Sequence, residues 1–169
     1  AHGQSADAPP PYTLRAAAED LLRLEATLGK PISAVLGHSF GGKVALALAE
    51  ISLTPLDQVW VLDSLPGSRT EELASPRTAA VVRMLEDMPR SFPTRERFVE
   101  IVEERGHDRT FAAWLAMNLR RDGDAYRLRI DMTKIRALFA SYYHTDLWPV
   151  VEHPAKARDM DRLARRHSP

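Results

Sequence analysis

An apolar stripe at helical spacing is the first regular pattern along the chain. Its members lie three or four positions apart with charged residues between them, and they are Leu14, Ala17, Ala18, Leu21, Leu24 and Leu28. This spacing predicts an amphipathic helix that ends at the stop signals Gly29 and Pro31. The preceding residues, 1–13, are rich in Gly, Ser, Asp and Pro and predict a loop.

Two short apolar runs follow, with a helical stretch between them. "ISAVLG", which begins at Ile32, and "LDQVWVLDS", residues 56–64, contain mostly β-branched and apolar residues and predict buried strands. Residues 42–51 between them predict a helix. Strand, helix and strand in this order form a βαβ unit, whose right-handed crossover places the two strands parallel in one sheet.

The pattern changes to repeated helical spacing over residues 68–148. Apolar residues recur there in four groups, separated by proline, by glycine or by the turn at residues 122–124. The only strand-like stretch is a weak "YRLRI" that begins at Tyr126, so the block is predicted to be helical. Residues 149–169 carry many charges and few apolar residues, and predict a charged tail with at most a marginal helix.

Composition narrows the classes of function. The 169 residues suffice for one domain with a real core, and 23 basic residues balance 23 acidic ones. With no overall field, we expect no binding to nucleic acid or to a membrane surface. The absence of cysteine excludes disulfides and thiolate chemistry. No apolar run approaches the roughly 20 residues of a membrane span, so the sequence predicts a soluble, cytoplasmic protein.

The segment "VLGHSFGGKVAL", residues 35–46, places a serine where the first strand turns into the helix. Ser39 stands in a G-x-S-x-G pattern, and such a turn exposes the hydroxyl while the following helix points its NH-rich end at the site. We expect Gly37, Gly41 and Gly42 to allow backbone that other side chains would obstruct, and Gly37 and Gly41 to be required because the turn is strained and neighbouring chain packs close to it. Ser39 is therefore a candidate acyl nucleophile, with the NH of Phe40 as one oxyanion donor.

"GHSFGGKVALALAE" followed by "VWVLDSLPG" resembles the α/β-hydrolase superfamily, and "HGQSADAPP" resembles a loop that follows an earlier strand there. Within it, the chain is most similar to small bacterial esterases with a helical lid, over roughly residues 1–150. The resemblance implies an α/β fold class: a partial α/β-hydrolase core of parallel strands and flanking helices over residues 1–67, a helical lid over 68–148, and the charged tail over 149–169.

Asp63 is the candidate acid of a catalytic triad. It lies at the carboxyl end of the second strand, where open α/β sheets place their sites, and its distance from Ser39 along the chain, 63 − 39 = 24 residues, resembles that in the lidded esterases. The alternative is an aspartate that caps the loop before Pro66. In many relatives the acid instead follows a later strand, for which the sequence offers no candidate.

No histidine is assigned as the base. In the superfamily the base lies in a loop after the last strand of the sheet. His38 is the variable residue before the serine in the G-x-S-x-G turn, which is called the nucleophile elbow. A residue at this position more often lines the pocket than acts as the base. His2 belongs to the opening loop and His107 to a turn of the lid. Three further histidines follow Asp63, as the family's order of serine, aspartate and histidine requires: His144, His153 and His167. Each of them is more simply explained as a solvated polar residue.

The N-terminal side is predicted to be incomplete as well. The superfamily takes its second oxyanion NH from the loop of an early strand, and the "HG" at His2 resembles a later loop instead. We therefore expect the sequence to be a fragment or a truncated product of a longer lidded hydrolase. Two strands alone leave sheet edges open, and the chain is expected to need a partner or a second copy to cover them.

The resemblance implies hydrolysis of small carboxylic esters or thioesters through an acyl-enzyme. The sequence contains no metal-ligand spacing such as H-E-x-x-H, no Walker loop and no G-x-G-x-x-G, so we expect no cofactor and no metal. His38, Leu65 and Trp114 are candidate substrate-binding residues, the last from a lid that could shape an apolar pocket with Phe111 and Tyr142. For any one of these side chains core packing is the favoured explanation, whereas a lid better explains the helical block as a whole. Two alternatives stay open: an inactive remnant that acts in self-association or partner binding, and a lyase or other reaction on the same elbow.

Overall fold

The computed structural model describes residues 8–70 and 76–152, which divide into two compact units. Residues 8–70 and 136–152 form the first unit, and residues 76–135 form the second. In chain order the elements are α1 (Leu14–Leu28), β1 (Ala34–His38), α2 (Phe40–Ile51), β2 (Gln58–Leu62), α3 (Pro76–Glu86), α4 (Arg95–Glu104), α5 (Arg109–Ala116), β3 (Leu119–Asp122), β4 (Ala125–Leu128), α6 (Met132–His144) and α7 (Trp148–Glu152).

The first helix forms where the apolar stripe predicts it. The Thr13 hydroxyl accepts a hydrogen bond from the Ala16 NH at the start of α1, which satisfies one of the free NH groups of the first turn. Gly29 ends the helix in a left-handed conformation with φ 62°, a conformation that glycine adopts without steric cost. Leu14 and Ala18 are buried and Leu21 packs against the same core, whereas Leu24 and Leu28 at the end of the stripe keep 48% and 63% of their surface exposed.

The predicted βαβ unit is confirmed. β1 and β2 pair in parallel, from Ala34 opposite Gln58 to His38 opposite Leu62, and α2 connects them. The core of this unit lies between the sheet and helices α1, α2 and α7. Its buried members are Leu14, Ala18, Leu46, Ala47, Leu48, Leu56, Leu147 and Val150.

The two-stranded sheet is packed on one face only within the described residues. Val35, Val59 and Val61 pack against the core cluster of the first unit. Leu36 and Trp60, which alternate with them and stand opposite each other, keep 63% and 49% of their surface exposed. Side chains of a strand point alternately to the two faces, so the face with Leu36 and Trp60 is an uncovered apolar surface.

The second unit has a closed core of its own, and it is not wholly helical. Helices α3, α4 and α5 are accompanied by an antiparallel hairpin in which β3 pairs with β4. The weak strand predicted at Tyr126 is present. Its partner strand, "LRRD", lies in the block that the sequence pattern predicts to be helical, so that prediction is wrong for these residues. Gly123 has φ 62° at the turn of this hairpin, and the buried cluster is Met84, Met88, Phe92, Phe98, Val99, Val102, Ala112, Leu115, Ala116 and Leu119.

The division into units differs from the predicted boundaries. The second unit ends at residue 135, so residues 136–148, expected in the lid, belong to the first unit, because they are held by hydrogen bonds such as Leu14 NH to Ser141 Oγ at 3.0 Å. Of the predicted tail, residues 149–152 lie in α7 and the remainder lies outside the described residues. No helix in the described ranges is long and apolar enough to cross a membrane.

Candidate active site

Ser39 lies at a sharp turn between β1 and α2. Its backbone has φ 53° and ψ −118°, a conformation that residues other than glycine rarely adopt. Its NH donates to the Leu62 carbonyl at 2.9 Å, which extends the pairing of the two strands by one step, and its own carbonyl accepts from the Gly42 NH at 2.9 Å. The residue is exposed, so this strained turn presents the serine to solvent.

The glycines around the serine differ in what they allow. A Cβ at Gly37 would overlap the backbone carbonyl of Gly41, and one at Gly42 would lie 2.6 Å from the Ser64 Cβ. A Cβ at Gly41 would have nothing within 4 Å. The expectation for Gly37 is therefore confirmed, whereas that for Gly41 is wrong: the close approach on the helical side is at Gly42, where α2 meets the segment after β2.

The register of the sheet brings Asp63 beside the serine turn. His38 stands opposite Leu62, so the next residues of the two strands, Ser39 and Asp63, leave the same edge of the sheet. Asp63 has φ 49°, and within the described residues it and Ser39 are the two positions other than glycine with positive φ. Strained backbone of this kind costs about 1–3 kcal/mol per residue and concentrates at functional sites.

The His38 imidazole lies near the Asp63 carboxylate at this edge of the sheet. Its Nε2 lies 3.9 Å from the Asp63 Oδ2, and the two side chains are 68% and 91% exposed. This distance exceeds that of a hydrogen bond, and an ion pair exposed to water adds little stability. His38 and Asp63 therefore stay available to a third group.

Phe40 begins α2, and its NH belongs to the first turn of the helix, where backbone donors have no acceptor within the helix. Its ring stacks on the ring of Tyr142 with centroids 6.1 Å apart. The side chain is thus anchored on α6 while the NH faces the serine turn. The positive end of the α2 dipole lies at the same place and favours negative charge there.

Lys43 is the residue of this region that sequence reasoning missed. The side chain is 1% exposed, and its ammonium donates to the carbonyls of Gly67, Tyr142 and Thr145 at 2.8, 2.6 and 2.7 Å. Burial lowers the pKa of Lys43, and the nearby Arg69 lowers it further while Asp146 opposes both. A partial signal existed: apart from Lys43 and Glu50 the residues of α2 are apolar or glycine, which is typical of a largely buried helix, and a lysine in such a helix needs polar partners.

The other predicted residues are distributed over both units. Leu65 follows Asp63 and is 52% exposed, whereas Trp114 lies on α5 of the second unit and is 59% exposed. His107 packs on Phe111 with ring centroids 4.9 Å apart, and His144 is exposed at the end of α6. His2, His153 and His167 lie outside the described residues. No group of three or more potential metal ligands occurs in the described part of the chain.

Comparisons with known proteins concern the family and the fold of the chain. No curated protein shows significant sequence similarity to the chain. A solved structure entitled "Marine microorganism esterase" superimposes with a TM-score of 0.73 at 22% identity, over 85% of this chain and 56% of that one. The chain thus spans little more than half the length of that esterase, and the likeness concerns the fold. The sequence profile of the "Alpha/beta hydrolase family" matches residues 1–168, and the chain belongs to the α/β-hydrolase family.

Proposed function

We propose that this chain carries the nucleophile of a serine hydrolase that acts on small carboxylic esters or thioesters. The observation that carries the proposal is Ser39, an exposed serine with φ 53° between a parallel strand and the N-terminus of a buried helix. Such a turn is strained, and its strain is of use only where the hydroxyl must be presented to a substrate. The match to an esterase structure supports the same class of substrate.

The proposed reaction has two steps. The Ser39 Oγ attacks the carbonyl carbon of the ester while a histidine takes the hydroxyl proton, and the carbonyl oxygen becomes an oxyanion that accepts a hydrogen bond from the Phe40 NH. Collapse of this intermediate breaks the bond to the alcohol or thiol, which leaves with the proton from the histidine. Water then attacks the acyl-Ser39 ester in the same way and releases the acid.

Asp63 is the proposed acid that orients the histidine. Its support is the register of the sheet, which starts Ser39 and Asp63 from the same edge, and its exposed carboxylate. Removal of such an acid leaves the geometry intact but lowers the rate by up to about 10⁴-fold. Replacement of His144, His153 and His167 by glutamine, one at a time, identifies the base by the variant that loses the reaction.

The substrate-binding roles proposed for His38, Leu65 and Trp114 rest on exposure. His38 and Leu65 flank the two candidate catalytic residues along the chain, and an exposed Leu65 offers an apolar surface to an alkyl or acyl group. For Trp114, which lies on α5, the proposal rests on its exposed ring. A Trp114→Ala variant is then expected to raise KM for esters with longer acyl chains more than for acetate esters.

A fluorophosphonate probe tests the proposal directly, because it phosphonylates, with loss of fluoride, only a serine that is activated as a nucleophile. Labelling of the chain is expected, with the adduct on the peptide that contains Ser39, and no labelling of a Ser39→Ala variant. A folded chain that hydrolyses esters equally well with alanine at this position rules the proposal out.

Self-association of a catalytically inactive chain is the second candidate function. The uncovered sheet face with Leu36 and Trp60 favours it, because contiguous exposed apolar surface marks sites of association. Sedimentation velocity over a range of concentrations tests it: the inactive chain is expected to form dimers, whereas a monomer that turns over esters contradicts this second function.

A further inference from the structure

The ammonium of Lys43 occupies a cage of three backbone carbonyls. Gly67 lies in the segment after β2, Tyr142 lies near the end of α6, and Thr145 lies just beyond that helix. A lysine ammonium has three NH donors, and each of them meets one of these oxygens at 2.6–2.8 Å. The group is therefore fully satisfied although the residue is 1% exposed.

The same two stretches of chain are joined on both sides of this cage. The Leu147 NH donates to the Pro66 carbonyl at 3.0 Å, and the Arg69 NH donates to the Tyr143 carbonyl at 2.7 Å. A Cβ at Gly67 would lie 2.9 Å from the Trp148 Nε1, so the indole of Trp148 packs directly on the Gly67 backbone. Lys43 thus sits between two backbone bridges and connects both stretches to α2.

Both sides of the candidate site are connected to this cage. The segment held at Pro66 and Gly67 begins with Asp63, so its anchoring limits where the carboxylate can move. The Tyr142 ring lies 4.8 Å from the Lys43 ammonium and stacks on Phe40. Lys43 itself stands one helical turn after Ser39 on α2. One buried cation therefore connects the nucleophile helix, the acid segment and the support of the oxyanion donor.

We propose that Lys43 is a positioning residue of the active site: its ammonium fixes the 63–67 segment and the Tyr142 ring beneath Phe40. This inference rests on the proposed function. An apolar side chain of the same length fills the same volume but leaves three buried carbonyls without donors, so the carbonyl-bearing segments move apart. A displacement of about 1 Å of catalytic groups costs about 10²-fold in rate.

The absence of cysteine from the chain allows an atom-by-atom test. A Lys43→Cys variant is alkylated in denaturant with 2-bromoethylamine, which restores an amine of lysine length, or with 1-bromopropane, which gives a neutral side chain of equal size, and each form is then refolded. A Leu48→Ala variant serves as the matched control, since it destabilises the same helix without touching the cage. Tyr142→Leu, which keeps the carbonyl and removes the ring, is a second variant that disturbs folding less.

Two readouts are compared at equal folded fraction. The fluorophosphonate labelling rate of Ser39 is expected to fall about 10²-fold in the propyl form, to return in the aminoethyl form, to fall about tenfold in Tyr142→Leu and to be unchanged in Leu48→Ala. Hydrogen exchange at the Arg69 and Leu147 amides is expected to accelerate in the propyl form alone, while the amides of Phe92 and Tyr126 in the second unit stay unchanged.

The outcomes separate this inference from the proposed function. Equal labelling of the propyl and aminoethyl forms overturns the role of Lys43 and leaves Ser39 as the nucleophile. No labelling of any form, including the natural chain, removes the proposed function, and the exchange rates of Arg69 and Leu147 then decide alone whether the amine positions these segments. Unchanged exchange in the propyl form overturns the inference in either case.

Discussion

The two units of the chain close their cores to different degrees. In the second unit, Phe92 and Phe98 are 1% and 0% exposed and meet edge to face with ring centroids 5.0 Å apart. In the first unit, the core lies on one face of the β1–β2 sheet, while Leu36 and Trp60 on the other face stay exposed. The second unit thus has a closed hydrophobic core, whereas the sheet of the first unit is packed on one of its two faces.

Backbone strain is distributed in the opposite way. Among the described residues of the second unit, positive φ occurs at Gly106 and Gly123, where the absence of a side chain removes the steric cost. In the first unit, Ser39 and Asp63 adopt it with side chains attached. The second unit is therefore closely packed and has no strained backbone among these residues, whereas the first unit combines strained backbone with an exposed apolar face. The comparison teaches that the chemistry of this protein is to be sought in the less completely packed unit.

The largest effect is expected from a change at the strained serine. Ser39→Ala removes the proposed nucleophile and is expected to lower ester turnover by about 10⁶-fold. Ser91→Ala changes an exposed serine of the second unit and is expected to leave turnover unchanged. Ester hydrolysis and probe labelling of both variants measure this contrast, and a loss in Ser91→Ala would contradict the assignment of chemistry to the first unit.

The next largest effect concerns the closed core. Phe98→Ala removes a ring that is fully buried against Phe92 and is expected to cost about 3–5 kcal/mol of unfolding free energy. Urea denaturation followed by hydrogen exchange of each unit measures it. Protection is expected to fall in the second unit; an equal cost from the exposed Trp114→Ala would show that the contrast between core and surface is wrong.

The glycines of the serine turn sharpen the comparison within the first unit. Gly37→Ala forces a methyl group onto the Gly41 carbonyl and is expected to cost about 3 kcal/mol. Gly41→Ala adds the same methyl group in open space on a helix and is expected to stabilise by about 0.5–1 kcal/mol. Thermal or urea unfolding of the pair provides the measurement, and equal effects of the two variants would refute the close approach at Gly37.

The elbow and its sheet could be predicted because local features determine them. An apolar run followed by closely spaced glycines has few alternatives to a strand that turns into a helix, and the parallel pairing follows from the crossover. The strand Leu119–Asp122 could not be predicted in this way, because three of its four residues are polar and it is stabilised by pairing with another segment, β4. The "DGD" turn was the available signal, since Asp-Gly favours hairpins.

The candidate site was predictable in its chain order but not in its support. Asp63 follows from its place at the end of a strand, whereas the burial of Lys43 depends on carbonyls of residues 67, 142 and 145, which lie far apart in sequence. Lysine is almost never fully buried unless it is paired, so single-residue expectations place it on the surface. Gly41 was misjudged for the same reason, because the clash of a methyl group depends on which segment lies opposite.

The pH dependence of stability isolates the buried lysine of the first unit. Because the pKa of Lys43 is lower in the folded protein than the unfolded value of 10.5, the unfolded chain binds more protons between the two values. Unfolding free energy is therefore expected to rise with pH across that interval, and to be flat below it. Lys43→Met lacks this contribution, so the difference between the two proteins in urea denaturation against pH measures it; a difference that falls with rising pH contradicts the direction.

The smallest effect is expected on the open face of the sheet, where neighbouring residues of β1 give a matched pair. Val35 points to the packed face and Leu36 to the uncovered one. Val35→Thr places a hydroxyl against the core and is expected to cost about 1 kcal/mol, whereas Leu36→Thr, with similar strand propensity, is expected to change unfolding free energy by no more than about 0.5 kcal/mol. If Leu36→Thr instead costs as much as Val35→Thr and the cost grows with protein concentration, the face is covered in solution by a second copy, because association stabilises by mass action. Equal costs that do not depend on concentration would mean that the face is not open, and the contrast between the two units would be lost.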